Sequence, residues 1–156
     1  MGDESAKRAA EEFLAARLSE ESQAYEDQQN REAAIKLGPT VWKRLADTVF
    51  AQCRDWNAIT KEQTLACKET MLGDLRMTIA GRAFQLLVHY DSRQGTVTIK
   101  NSARLEGEPD TVMTIEGYST GDGRDARLMR NNEPVNVDMM ILGHIRLLAG
   151  LTRRAE

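Results

Sequence analysis

The sequence predicts an α+β domain in which helices flank an antiparallel β-meander of five to six strands. Three observations carry that expectation. Residues before about Lys61 have helical composition and spacing, and apolar and polar side chains alternate from there to about Arg130. A nearly wholly apolar helix then runs from Asp138 to about Ala149. With 156 residues, the chain is long enough to bury a core without a disulfide or a metal.

The first segment, Ser5 to Leu37, is rich in Ala and Glu. Gly38 fits the C′ position of a helix and Pro39 opposes continuation, so the expected boundary lies there. This divides the chain into an acidic N-terminal helix at 1–37, a candidate arm, and an α+β domain at 38–156. Residues 1–36 carry five basic and nine acidic side chains out of totals of 21 and 24, so the body is nearly neutral. The apolar positions of the first helix are thin. Phe13, Leu14, Leu18, Tyr25 and Ile35 are interrupted by Gln28 and Gln29, which makes a weak heptad seam. The helix is either laid partly on the domain or used as a self-associating or partner-binding arm.

Thr40 is placed to cap a second helix. Trp42, Leu45, Ala46, Val49, Phe50, Cys53 and Trp56 form one stripe at about 100° per residue, with Lys43, Arg44, Asp47, Arg54 and Asp55 opposite. Burial of each large side chain is worth roughly 1.5–3 kcal/mol, enough to anchor this helix on a sheet. Core packing is the simplest role for both tryptophans and for Cys53.

Period-two patterning then predicts strands near 63–71, 74–80, 82–91, 95–106, 111–119 and 125–130. The links between them are short and rich in Gly, Asp, Asn and Pro. Parallel pairing needs crossovers of a dozen or more residues, so the pairing is antiparallel. Asn131-Asn132-Glu133-Pro134 is expected to end the last strand. Asn136 or Asp138 starts the final helix, whose Val137, Met140, Ile141, Ile145, Leu148 and Leu151 share one arc. Both amphipathic helices are expected on the dry face of the sheet. In order of elements, a meander closed by a C-terminal helix resembles the helix-grip lipid- and hormone-binding folds. Their leading strand is missing and no residue motif assigns a family.

His144 projects into the apolar arc of the last helix, where it serves either as a hydrogen-bonded core histidine or as the polar contact of a ligand pocket. Six internal methionines all follow residue 70. They form a soft core or line an adaptable apolar cavity, with His144, Met140, Met77 and Met113 as the candidate ligand-binding set. Candidate interface residues are Leu14, Leu18, Tyr25 and Gly143, the last because a helical glycine costs about 1 kcal/mol unless another backbone approaches it. Gly150 reads as a C′ residue. His89 should face solvent.

No GxSxG, HExxH, GxGxxG or Cys/His pair is present, so no catalytic residues are named. The loop from Gly121 to Asp125 lacks the acidic repeat of an EF-hand and the GK[ST] ending of a phosphate loop. Arg76, Lys100, Arg104 and Arg127 give a modest basic surface with Tyr118 as its one aromatic, too little for nucleic acid. No apolar run reaches the roughly 20 residues of a membrane span. Two cysteines without CxxC spacing and the start MGDESAKR suggest a cytoplasmic setting. No cofactor or metal is implied. The leading expectation is a non-catalytic, self-associating protein-interaction module; the alternative is a carrier of a small apolar ligand between the sheet and the last helix.

Overall fold

A computed structural model describes residues 2–105 and 107–151. The largest departure from the expected architecture comes first along the chain. Helix α1 runs unbroken from Gly2 to Ile59, 58 residues and about 87 Å long. Gly38 is not its end and Thr40 is not a new cap, so the two expected helices are one.

The reason lies in phase. Ala33, Gly38, Val41, Leu45, Val49 and Cys53 are buried in succession, so one stripe crosses the Gly38-Pro39 pair without interruption. Pro39 sits on the exposed side, where water can serve the Ile35 carbonyl that loses its amide donor. At Gly38 a Cβ would lie 2.6 Å from the Tyr90 hydroxyl. Gly38 thus makes room for the Tyr90 hydroxyl rather than marking a helix end. Tyr90 in turn stacks on Trp42, with ring centroids 5.6 Å apart and planes 13° from parallel. Burial, together with the Asp91 charge, pushes its phenol pKa up.

Among the described residues seven strands follow: β1 (Leu65–Glu69), β2 (Leu75–Ile79), β3 (Gln85–Asp91), β4 (Thr96–Asn101), β5 (Thr111–Thr120), β6 (Gly123–Arg130) and β7 (Glu133–Pro134). They form one sheet in sequence order, every neighbouring pair antiparallel. The meander is as expected, with one more strand. Asn131 and Asn132 have φ of 52° and 62°, a left-handed pair that turns β6 into β7 instead of ending the sheet. The fourth strand is shorter than expected. It stops at Asn101, so Ala103 and Leu105 lie in a loop that leads to β5.

Helix α2 (Val137–Leu148) is capped by Asn136, whose side chain accepts from the Met139 amide at 3.2 Å. Gly150 adopts φ 76°, and the Leu151 amide donates back to the Arg146 carbonyl, as a C′ glycine should allow. The dry face of the sheet carries both helices. Helix α1 lies on β5 and β6 and meets β1 with its last turns, while α2 lies against β3 and touches α1. Between them a single core joins Leu45, Val49 and Cys53 to Met77, Leu86, Val97, Ile99, Met113, Ile141 and Leu148. Among the described residues, no helix is long and apolar enough to cross a membrane.

Candidate functional site

Among the described residues, the buried polar side chains are Asn101, Thr111 and His144. All three stand in one place. Asn101 ends β4, Thr111 begins β5, and His144 projects from the middle of α2. The Asn101 amide nitrogen lies 3.1 Å from the His144 carbonyl oxygen and 3.3 Å from its ring Nδ1. The ring Nε2 lies 3.3 Å from the Thr111 hydroxyl. In the neutral ring, an amide N–H donated to Nδ1 leaves the proton on Nε2, from which it is donated to Thr111. The carbonyl contact ties α2 to the end of β4 at the same point.

This cluster floors an open cleft of about 1030 Å³ between α2 and the loop joining β4 to β5. Met139, Met140, Gly143 and Leu147 form its helical wall, and Arg104, Arg130 and Arg146 also line it. Arg104 is held by an ion pair with Asp110. An added Cβ at Gly143 would meet nothing within 4 Å, so among the described residues no backbone of another element approaches it. Close packing against α1 is therefore not the reason for that glycine, which instead leaves the cleft wall low.

Of the four candidate ligand residues, the structure brings together His144 and Met140. Met77 and Met113 are 1% and 0% exposed within the core and do not line the cleft. Their strand phase puts them under the helices: Met77 pairs with Cys67 and Leu86, and Met113 with Val97. Asn101 and Thr111 were not among the expected site residues. A signal for both exists in the alternation, since Asn101 continues the dry phase of Val97 and Ile99, and Thr111 opens that of Met113 and Ile115.

The second candidate surface is the N-terminal part of α1. Residues 4–25 are exposed throughout, including Phe13, Leu14, Leu18 and Tyr25 at 56–66%. The helix first meets the domain at Glu26 and Asn30, both bonded to the Arg124 guanidinium. Gly117 on β5 sets the contact distance, because a Cβ there would lie 2.3 Å from the Asn30 carbonyl oxygen. Glu26, Asn30, Ala33 and Leu37 face the domain. Leu14, Leu18 and Tyr25 lie roughly a third of a turn away, and Ile35, 77% exposed, lies further round, nearly opposite the docked face. Three of the four candidate interface residues therefore share the arm, whereas Gly143 lies on α2.

The outer face of the sheet is mixed in charge. Arg76, Leu87 and Lys100 lie side by side across β2, β3 and β4, and Glu116 is opposite Arg127, whose guanidinium stands 4.1 Å from the centroid of the Tyr118 ring. His89 is on this face, its Nδ1 2.6 Å from Asp74. Among the described residues, no three His, Cys, Asp or Glu side chains gather as a metal site requires. Comparison with protein-family models, curated proteins and solved structures finds no match.

Proposed function

We propose that this protein is a non-catalytic, self-associating interaction module whose long helix pairs with that of a second copy. One observation carries the reading: Leu14, Leu18 and Tyr25, with Ile35 further round, form a sparse apolar stripe that stands in water along a continuous helix, turned away from the face that docks on its own sheet. Local pairs such as Arg17–Glu21, Gln23–Asp27 and Gln28–Glu32 support the helix itself. They give no reason for the stripe.

Charge selects the direction of pairing. In a parallel, in-register pair, Glu11, Glu21 and Glu32 would each face their own counterpart across the seam, and like charges so placed repel. In an antiparallel pair with Leu14 set opposite Tyr25 of the second copy, Lys7 falls opposite Glu32 and Glu11 opposite Gln28. Leu18 then lies beside Glu21, whose carboxylate is within 3.5 Å of Arg17 on the wet flank. The antiparallel arrangement removes three acidic contacts and adds two oppositely charged ones.

Sedimentation equilibrium tests this with the full chain. The expected mass is twice 17.5 kDa at micromolar concentration. Leu14→Glu combined with Leu18→Glu should return the monomer mass with an unchanged far-ultraviolet spectrum. A monomer at every concentration, or a dimer indifferent to both changes, would contradict the proposal.

A second reading is favoured by the cleft. The clustering of Asn101, Thr111 and His144 beneath Met139, Met140, Arg130 and Arg146, with Arg104 already paired to Asp110 and Glu108 also on the rim, suits a small ligand with an apolar body and a single anionic head, rather than a wholly apolar one. Titration calorimetry with decanoate should then give binding that Arg130→Glu with Arg146→Glu weakens tenfold or more. Heat no greater than that of dilution would remove this reading without touching the first.

A further inference from the structure

Cys53 and Cys67 come from different elements, and α1 and β1 are joined just beside them. The Asn57 side chain makes two bonds to one residue of the edge strand: its amide donates to the Leu65 carbonyl at 2.9 Å, and its oxygen accepts from the Leu65 amide at 2.7 Å. This clamp draws the last turns of α1 to within one side chain's length of the β1 backbone. Cys53 is one helical turn before Asn57, about 6 Å along the axis. Cys67 is two residues after Leu65 on the same side of the strand, about 6.8 Å further on. The two displacements nearly match, so the clamp that seats Asn57 on Leu65 also sets Cys53 against Cys67. Both thiols are free and line one cleft of about 500 Å³ with Asp47, Phe50 and Arg54.

We infer that Cys53 and Cys67 form a redox-modification site, in which a peroxide converts the dithiol to a disulfide that staples the end of α1 to the edge strand. The two thiols already differ. The Cys53 thiol beside it holds the Cys67 pKa below its ordinary value, while the Cys67 sulfur and burial push Cys53 up. Cys67 is also the more exposed, with Cys53 at 5%. Cys67 is therefore the attacking thiolate. Its sulfur bonds to one peroxide oxygen, the O–O bond breaks, and the hydroxide released takes a proton to become water. Once Cys67 is a sulfenic acid, Cys53 no longer stands beside a thiolate, so the main cause of its raised pKa is gone. Its sulfur attacks the Cys67 sulfur, the S–O bond breaks, and the departing hydroxide leaves with the Cys53 proton as a second water. Two thiols lose two electrons in all, and one peroxide becomes two waters.

The test uses the full chain with hydrogen peroxide as oxidant, followed by alkylation and intact-mass measurement without reductant. The expected product loses both alkylatable thiols, gains no oxygen at either cysteine, stays a single chain through the linkage, and yields a Cys53–Cys67 peptide. Its thermal midpoint should rise by roughly 5–10 °C and fall back with dithiothreitol. The Cys53→Ser variant should instead hold a sulfenic acid at Cys67 that dimedone traps, and Cys67→Ser should react at least tenfold more slowly. Retention of two alkylatable thiols, oxygen addition at a cysteine of the wild type, or linkage only between chains would overturn the assignment. An unchanged midpoint in a linked product would overturn the staple.

Discussion

At the scale of single residues, two glycines and one asparagine decide how the long helix sits. Gly117 lets the Asn30 carbonyl approach β5 where any Cβ would collide with backbone. Gly117→Ala should therefore force helix and strand apart and cost about 1–3 kcal/mol in urea unfolding, the range for overpacking. An effect below about 0.5 kcal/mol would show that the contact is not held. Asn57 carries a comparable weight at the other end of the docked region. Asn57→Ala leaves the Leu65 amide and carbonyl without their partner and should cost about 1–3 kcal/mol by the same measurement. His144 was legible from helical spacing alone, because a polar residue in an apolar arc is conspicuous. Asn101 and Thr111 were not singled out, although alternation puts both on the dry face, because neither is ionisable and so neither stands out there as His144 does.

At the scale of elements, the meander was legible and the helix boundary was not. Short turn-rich links permit only hairpins, which fixed both order and direction of the strands. Gly38-Pro39 misled because local propensity says stop, while the buried stripe from Ala33 to Cys53 continues in phase through it. Packing of that stripe outweighs one missing amide, which costs about 3 kcal/mol in a helix interior. Pro39→Ala should accordingly keep the helix and stabilise the protein by about 1–3 kcal/mol, seen as a higher urea midpoint with unchanged slope. Loss of stability would mean that the proline sets a bend the docking requires. The Asn131-Asn132 turn was missed for a related reason: two left-handed residues read equally well as a strand end or as a hairpin.

At the scale of the molecule, the sheet and both docked helices share one core, and the first part of α1 stands apart from it. The acidity of the first 36 residues and the thinness of their apolar stripe were plain in the sequence. That the stripe is exposed and turned from the domain required knowing where α1 docks. The proposed pairing of two such arms makes a geometric claim that one distance distribution tests directly. A spin label on Ala9→Cys, in a Cys53→Ser and Cys67→Ser background, reports the separation of the two copies by double electron–electron resonance. Antiparallel arms place the labels about 35 Å apart, from the helical rise and the interaxial distance. A distance under about 20 Å would mean parallel arms, and the absence of dipolar coupling at micromolar concentration would contradict self-association through this helix.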